Sequence, residues 1–322
     1  MSRKIALQQD DMAKEFTYGI EIETTVPVAK RMSIGTYRQP EQVRGCPEGW
    51  MSKTDSSILP SISYKGVEIV SPVLQGLDGI KQIEQTTNKL QALGAVSNAS
   101  CGFHVHVGLP QKCYQNGVRN KEATRQFVRN LVSWTGRYEL ALYASTGNIT
   151  RVGNIFCKSV QEKYALDQLW DKNGVMYLEN NFREHNERYN VLNVINLFDS
   201  YRPDTIEFRV FAGTVELIKM IANIQIALGM VRKAQSNGFR TFNKKSNENR
   251  KTGVGRTQVD IMMETFHWNT TTPVIGLGWI SPTEYHDNVV NHLRQSADDF
   301  DKQVYNHPGG REILRKWYKE LN

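Results

Sequence analysis

Four stretches of the chain alternate apolar residues with polar or ionisable ones, a pattern that predicts β-strands. In residues 204–211, Glu207 and Arg209 fall on one face of such a strand, and the apolar residues fall on the other. The aromatic and β-branched neighbours favour a strand that packs on at least one side. A surface strand can carry a Glu-x-Arg pair harmlessly, so this stretch indicates a site only together with the others.

Two more of these stretches place carboxylates on an otherwise apolar strand. Residues 16–25 put Glu21 and Glu23 on one face, and residues 66–72 place Glu68 among branched apolar neighbours. Two carboxylates at this spacing repel each other unless water or a divalent cation lies between them. A Glu-x-Glu pair on a solvent-facing strand is common, whereas a buried Glu68 would need a partner.

The fourth stretch, residues 101–110, carries His104 and His106 on one face and apolar residues on the other. A single histidine on a strand is usually structural or exposed. Two of the chain's seven histidines on the same face indicate a metal or phosphate role, because neutral imidazole binds metals and imidazolium binds anions.

Other segments have helical periodicity or no periodicity. Residues 27–60 contain four prolines and are predicted to be an irregular excursion from the sheet. Within it, Asp55 precedes two serines, which favours a turn over a substrate contact. Gly94 is placed to end the first helix. The predicted helices cover residues 76–95, 121–144, 215–234, 286–300 and 310–321.

The composition is that of a folded protein rather than a disordered one, with 39% hydrophobic and 23% charged residues. No run of about 18 apolar residues occurs, which argues against a membrane span. The N-terminus lacks the apolar core of a signal peptide, and the four cysteines form no Cys-x-x-Cys pair. We therefore expect a cytoplasmic protein with reduced thiols and no membrane partner.

The net charge of +7 is concentrated in residues 232–256, which hold eight basic residues and one acidic one. The segment is also rich in Ser, Asn and Gly, so it is predicted to be a solvated loop. A basic loop can steer ATP, an acidic substrate or a polynucleotide toward a site. No aromatic pattern of a nucleic-acid module accompanies it, so the sequence does not favour nucleic acid as a partner.

Folding would bring the ionisable residues of the four strands together. A sheet with helices behind it buries one face, so carboxylates, imidazoles and Arg209 would line the opposite face. Carboxylate oxygens suit Mg²⁺ or Mn²⁺, an added nitrogen ligand excludes neither, and arginine suits a phosphate or carboxylate. Divalent metals with an arginine, and without an evident nucleophile, indicate phosphoryl transfer.

These motifs, taken in order, resemble the amidoligase family, which is related to glutamine synthetase and glutamate–cysteine ligase. The resemblance implies an α+β fold: a glutamine synthetase-like antiparallel curved sheet (half-barrel), with helices on its convex face and the active site on its concave face. It covers about residues 16–235. We expect residues 1–235 to form the catalytic core and residues 236–322 to be a basic loop and helical extension of the same domain. The motifs are residues 19–23, 66–72, 102–108 and 205–211.

The resemblance also implies roles for individual residues. His106, Arg188 and Arg209 would contact the nucleotide phosphates, with Arg209 steadying the transferred phosphoryl group. Asp55 stands where the family keeps a substrate-side acid, and it joins Glu207 and Arg209 as the catalytic set. The implied metal ligands are carboxylates and one imidazole from the four strands: Glu21, Glu23, Glu68, His104 and Glu207.

The implied reaction is the joining of a carboxylate to an amine, at the expense of ATP and with Mg²⁺ or Mn²⁺, through an acyl phosphate. The amine would belong to an amino acid, a peptide or another compound, and the sequence does not specify which. Many relatives have a third acid where this chain has Thr24 and Thr25, which leaves the number of metal ions open. The oligomeric state is equally open.

Two alternatives remain at this point. The same residues would allow metal-dependent hydrolysis of a phosphoester. The basic segment would instead suit a nucleic-acid-binding protein built on an inactive ligase scaffold, although the retained Glu21, His104 and Arg209 argue against that.

Overall fold

The computed structural model describes residues 16–163, 188–198, 202–236, 254–266, 284–309 and 312. Within these residues the chain forms short and long β-strands in two sheets. They are β1 (Tyr18–Pro27), β2 (Glu41–Gln42), β3 (Met51–Lys53), β4 (Tyr64–Val70), β5 (Gly102–Gly108), β6 (Tyr114–Gln115), β7 (Val118–Arg119), β8 (Leu192–Asn193) and β9 (Thr205–Ala212).

A seven-stranded sheet lies at the centre of the described fold, in the order β2–β3–β4–β1–β5–β9–β8. Every neighbouring pair in it is antiparallel. The sheet is not closed into a barrel, because β2 and β8 form its two edges. β6 and β7 make a separate hairpin.

The helices account for the remaining regular structure among the described residues. None of these described helices combines the length and the apolar character that a membrane crossing requires. They are α1 (Gly76–Ala92), α2 (Lys121–Ser145), α3 (Val160–Lys163), α4 (Leu217–Ser236), α5 (Val254–Thr265) and α6 (Glu284–Asn306).

One face of the sheet is apolar and packs against helices. Ile20 and Ile22 of β1, Val105 of β5 and Phe208 of β9 are all at most 1% exposed. Helix α4 contacts β5, and helix α2 contacts β9, so these two helices cover the central strands. Burial of each such large apolar side chain contributes about 1.5–3 kcal/mol to the stability of the fold, because apolar surface leaves water. The strand alternation then directs the polar side chains to the opposite face.

The structure confirms the four strands and the mixed architecture that the sequence predicts. The four motif strands are β1, β4, β5 and β9, and they occupy adjacent central positions. Gly94, with a φ of +74°, follows the end of α1 in the left-handed conformation that glycine adopts readily. Four of the predicted helices correspond to α1, α2, α4 and α6. The fifth, residues 310–321, lies outside the described residues except for residue 312.

The prediction that residues 27–60 are irregular is wrong in part, because β2 and β3 lie within them and extend the sheet. The backbone N–H of Val43 donates to the carbonyl of Trp50 at 2.7 Å, and the Trp50 side chain is fully buried. Strands of two or three residues between prolines and glycines lack the alternating run on which a sequence prediction depends.

The C-terminal helices pack onto the helical layer of the core. Helix α5 contacts α2, and α6 contacts α2, α4 and α5. The carboxylate of Asp301 accepts the backbone N–H groups of Gly255 at 2.7 Å and Arg256 at 2.9 Å, which holds the first turn of α5 on α6. Arg256 also pairs with Asp298. The prediction that residues 232–256 are a loop is wrong at both ends, because residues 232–236 belong to α4 and residues 254–256 belong to α5. Residues 237–253 lie outside the described residues.

Candidate active site

The antiparallel register aligns ionisable residues into a row across the polar face of the sheet. Glu21 of β1 pairs with His104 of β5, and His106 pairs with Glu207 of β9. At the other side of β1, Glu23 pairs with Glu68 of β4. The row runs further than the sequence indicates. Lys53 of β3 pairs with Glu68, and Asn193 of β8 pairs with Glu207.

The two histidines lie among three carboxylates. His104 places Nδ1 3.0 Å from Oε2 of Glu21 and 3.6 Å from Oε1 of Glu207. Its Nε2 lies 3.6 Å from Oε1 of Glu23. His106 places Nε2 3.3 Å from Oε1 of Glu21. Because His104 is only 4% exposed, it forms the floor of the cluster, and Glu21 and His106 are more accessible.

Gly102 makes room for this arrangement. Its backbone N–H donates to Oε2 of Glu23 at 2.6 Å, which orients that carboxylate. A Cβ atom at this position would lie 2.8 Å from Nε2 of His104 and 3.3 Å from Oε2 of Glu23. A side chain larger than hydrogen would therefore displace the imidazole or the carboxylate.

Charge interactions set the protonation states of the cluster. Burial opposes the charge of Glu21, but His106 and His104 hold the pKa of its carboxyl well below the usual range. Burial likewise opposes the charge of Glu207, and His106 with Arg209 lowers the pKa of that carboxyl. Burial disfavours the imidazolium of His106, yet Glu21 raises its pKa to about 9. The face therefore holds ionised carboxylates that are balanced by protonated histidine.

Glu68 behaves differently from the other acids. Burial and the nearby charge of Glu21 raise the pKa of Glu68 to about 8, although Nζ of Lys53 lies 3.0 Å from its Oε1. Glu68 therefore holds its proton more readily than Glu21 and Glu207 do. A divalent cation would favour the ionised form of Glu68.

Arg209 is fixed in front of the cluster by contacts on several sides. Its guanidinium donates to Oε1 of Glu207 and, at 3.2 Å, to the carbonyl of Phe156. The guanidinium carbon lies 5.5 Å from the ring centroid of Tyr189, a cation–π distance. Arg188, which is exposed, lies 5.2 Å from the centroid of the same ring.

Asp55 lies on the loop after β3, at the wall of the cavity. Its Oδ1 accepts the backbone N–H of Ser57 at 2.7 Å and the hydroxyl of Ser57 at 2.6 Å. This is a side-chain-capped turn, as the sequence favours. The turn also presents Asp55 to the cavity, so the two interpretations of this residue are compatible.

A single cavity of about 670 Å³ unites the residues that the sequence singles out. It is a size that holds a small-molecule substrate. The residues predicted for the site all line it: Glu21, Glu23, Asp55, Glu68, His104, His106, Arg188, Glu207 and Arg209. The sequence prediction misses Lys53, Arg151, Tyr189 and Asn193, which line the same cavity. Lys53 and Asn193 would have followed from predicting their short strands, whereas Arg151 gives no periodic signal.

The arrangement is that of a cation-binding carboxylate and imidazole cluster beside a fixed guanidinium. One ligand atom each from Glu21, His106 and Glu207 lies within 4.8 Å of the others. Such a site is suited to a ligand that carries both a divalent cation and an anionic group.

A comparison with protein-family models agrees with this chemistry. A model of the family described as "Putative amidoligase enzyme" matches residues 14–231, about two thirds of the chain, so the chain belongs to the amidoligase family. This confirms the family resemblance seen in the motifs. A comparison with curated proteins finds no match.

Among solved structures, the crystal structure of a bifunctional glutathione synthetase from Pasteurella multocida is similar to this one, with a TM-score of 0.48 and 11% sequence identity. The alignment covers 98% of this chain and 53% of that protein. The chain therefore spans about half the length of that synthetase.

Proposed function

We propose that this protein is an ATP-dependent carboxylate–amine ligase that uses Mg²⁺ or Mn²⁺ and forms an amide or isopeptide bond through an acyl phosphate. The observation that carries the proposal is the cluster of Glu21, His106 and Glu207, which lies beside Arg209 in one cavity of an amidoligase-family chain. Such a site provides cation and phosphate recognition, which suits phosphoryl transfer to a substrate carboxylate.

The side chains present fit a divalent metal. Nε2 of His106 is buried and lies 3.3 Å from Oε1 of Glu21, and it would bind a cation in place of its proton. Glu21, Glu207 and His106 would hold one ion, and Glu23, Glu68 and His104 are the further ligands on the same face. A bound Mg²⁺ or Mn²⁺ would neutralise phosphate oxygens and orient the nucleotide.

The nitrogen ligand is the point at which the geometry adds to the sequence prediction. The sequence assigns His104 to the metal and His106 to the nucleotide phosphates. Of the two rings, His106 contributes to the three-atom cluster, whereas His104 is enclosed by Glu21, Glu23 and Glu207. We therefore assign the imidazole of His106 to the ion that Glu21 and Glu207 would hold, and a metal role for His104 stays a prediction.

In the first step, an oxygen of the substrate carboxylate attacks the γ-phosphorus of ATP. The bond from that phosphorus to the bridging oxygen breaks, and ADP leaves. Arg209 neutralises charge that develops on the transferred phosphoryl group, and its contacts with Glu207 and Phe156 hold it in place beforehand. Arg188 at the exposed rim contacts the nucleotide or the substrate.

In the second step, the amine nitrogen attacks the acyl carbon of the acyl phosphate. The bond from that carbon to the phosphate oxygen breaks, and the departing phosphate takes up the proton that the nitrogen loses. We assign Asp55 to the amine, because its carboxylate faces the cavity and attracts an ammonium group. Restricted access of water to the cavity would protect the acyl phosphate from hydrolysis.

The finer fold assignment is part of the same proposal. We take the sheet to be the curved half-barrel of the glutamine synthetase relatives. Helices cover one face, and the ionisable row occupies the other. The substrates would be a carboxylic acid and the amine of an amino acid, a peptide or another compound.

The proposal is tested by ADP formation from ATP with Mg²⁺ or Mn²⁺, in the presence of pooled carboxylic acids and amines. Wild type is compared with Glu21→Gln and Arg209→Ala. The matched controls are Glu216→Gln, an exposed acid that pairs with Lys219, and Arg119→Ala, which lies outside the cavity and pairs with Asp204. We expect amine-stimulated ADP formation and a new amide mass in wild type and both controls.

Glu21→Gln and Arg209→Ala should each lose about two to three orders of magnitude in rate, because the first removes a ligand of the proposed metal and the second removes a positive charge that offsets transition-state charge. Metal-dependent phosphate release that ignores amines would contradict the ligase and indicate a phosphoester hydrolase. A wild-type protein that binds no ATP in the presence of metal would also overturn the proposal.

A further inference from the structure

A buried arginine at the inner wall of the cavity has no role in the reaction described above. Arg151 ends a short 3₁₀ turn (Ile149–Arg151) that follows helix α2. It lines the cavity, yet the whole residue is only 3% exposed. No alternating or helical pattern marks it in the sequence.

The guanidinium of Arg151 is held by backbone carbonyls at an irregular point of β9. Strands β5 and β9 shift register between Phe103 and Val105, where β9 has one extra residue. The Nε of Arg151 donates to the carbonyl of Val210 at 3.0 Å, and an Nη atom donates to the carbonyl of Arg209 at 2.5 Å. The Arg151 side chain thereby supplies N–H donors that a neighbouring strand would supply in a regular sheet.

These two bonds leave the charge of Arg151 without a carboxylate partner. Among the described residues, no Asp or Glu oxygen lies within 4.0 Å of its nitrogens. The other buried charges of the cavity do have opposite partners: Glu68 has Lys53, Glu207 has Arg209, and Glu21 has the two histidines. A buried cation without a counter-ion is costly, and carbonyl dipoles offset only part of that cost.

The guanidinium also keeps donors that the backbone does not use. Arginine has five N–H groups in a fixed plane, and the two carbonyl bonds account for two of them. The planar group is rigidly oriented by those bonds, which reduces the entropy that is lost when a ligand binds. A fixed, desolvated and unpaired guanidinium at a cavity wall is suited to an oxyanion.

We propose that Arg151 binds an anionic group of a substrate inside the cavity, either the phosphoryl group or the carboxylate. The choice between these two groups rests on the proposed function, whereas the anion site itself does not. Arg151 bonds the backbone carbonyl of Arg209, so the two guanidiniums lie on adjacent parts of one wall. The charge of Arg209 is offset by its ion pair with Glu207, whereas the charge of Arg151 is not offset by a carboxylate.

The experiment measures anion affinity from thermal unfolding, since a ligand that binds only the folded protein raises Tm with its concentration. The probes are inorganic phosphate and acetate. Each is titrated into the protein in the presence of Mg²⁺, and sodium chloride at equal ionic strength is the reference. The variants are Arg151→Gln, which retains an N–H donor for a carbonyl, and Arg151→Lys, which retains the charge. Arg119→Gln is the control, because Arg119 pairs with Asp204 outside the cavity.

We expect at least one anion to stabilise wild type and Arg119→Gln equally. In Arg151→Gln, the affinity for that anion should fall by about ten- to a hundredfold, which corresponds to the loss of a charge-assisted hydrogen bond. Loss of the phosphate response alone assigns Arg151 to the phosphoryl group, and loss of the acetate response alone assigns it to the carboxylate. Unchanged affinity for both anions, or a wild type that binds neither, overturns the inference.

Arg151→Lys keeps the test decisive if Arg151→Gln does not fold. A lysine cannot bond two carbonyls and an oxyanion in one plane, so we expect its anion affinity to fall several-fold and to stay above that of Arg151→Gln. Wild-type affinity in Arg151→Lys would overturn the inference. If wild type shows no ligase activity but these variants still lose anion binding, the result contradicts the proposed reaction and supports the anion site.

Discussion

Nζ of Lys53 lies 3.0 Å from Oε1 of Glu68, at the end of the row of carboxylates that crosses the sheet. The pair joins β3, a strand of three residues, to β4 in the centre of the fold. Lys53 thus occupies a place at which a cation is favourable, and a metal bound to Glu68 would share that carboxylate with the lysine ammonium. This relationship makes Lys53 a built-in competitor of the proposed metal.

The first prediction concerns that competition. Lys53→Met should lower the free energy of unfolding of the metal-free protein by about 1–3 kcal/mol, because Glu68 loses its partner. Added Mn²⁺ should then stabilise the variant more than it stabilises wild type. Chemical denaturation with and without Mn²⁺ measures both effects, and Lys53→Arg is the control. Equal Mn²⁺ stabilisation in wild type and Lys53→Met would show that Lys53 does not compete.

The second prediction concerns the ligand atoms themselves. At a Mn²⁺ concentration of about one hundred times the dissociation constant, the metal should raise the free energy of unfolding of wild type by about 2.7 kcal/mol. His106→Gln should lose most of that stabilisation, and EDTA should remove it from wild type. His307→Gln, at an exposed position, should respond as wild type does. Retention of the full Mn²⁺ response in His106→Gln would exclude this ring from the metal site.

The third prediction concerns the space above the imidazole of His104. Gly102→Ala would place a Cβ atom 2.8 Å from Nε2 of that ring, so we expect a loss of about 1–3 kcal/mol in stability. The displaced ring should also weaken Mn²⁺ binding. Gly309→Ala is the control, since its Cβ would meet its nearest neighbour at 3.6 Å. A fully stable Gly102→Ala protein with normal Mn²⁺ affinity would contradict the close packing of the cluster.

The fourth prediction concerns a buried carboxylate that supports the wall of the cavity. Glu139 of α2 accepts the backbone N–H of Val160 at 2.6 Å and the hydroxyl of Ser159 at 2.7 Å. These bonds fix the segment that carries Phe156, whose carbonyl accepts from Arg209. Glu139→Gln should cost about 1–3 kcal/mol of stability, because the amide replaces one acceptor with a donor.

Calorimetric unfolding measures the effect of Glu139→Gln, with Glu84→Gln as an exposed control that should change stability by less than about 0.5 kcal/mol. The rate of amine-dependent ADP formation should also fall in Glu139→Gln, because Arg209 loses a fixed contact. An unchanged rate together with reduced stability would limit Glu139 to a structural role.

The sequence predicts the strands that are long enough to alternate. β1, β4, β5 and β9 each show a two-residue period that separates apolar from ionisable side chains, and the structure places them side by side. Their register then brings Glu21 opposite His104, a relationship that no local pattern contains. The cavity residues on these four strands were therefore predictable as a set, whereas their pairing depends on long-range hydrogen bonds between strands.

The residues that the sequence did not reveal lie on short or irregular segments. Lys53 lies in a three-residue strand among prolines and glycines, and Asn193 lies in a strand of two residues. Arg151 ends a 3₁₀ turn and meets β9 only through tertiary contacts. Periodicity cannot identify a site residue on such segments, because its orientation is set by packing rather than by its neighbours in the chain.

The most direct test of the central claim follows oxygen from the carboxylate substrate to phosphate. The pooled carboxylic acids are labelled with ¹⁸O, turned over with ATP, Mg²⁺ and the pooled amines, and the released phosphate is analysed by mass. A reaction through an acyl phosphate transfers one ¹⁸O atom to each phosphate released, and the amide retains the other. Amine-dependent phosphate that contains no ¹⁸O would contradict the acyl phosphate and, with it, the proposed ligase mechanism.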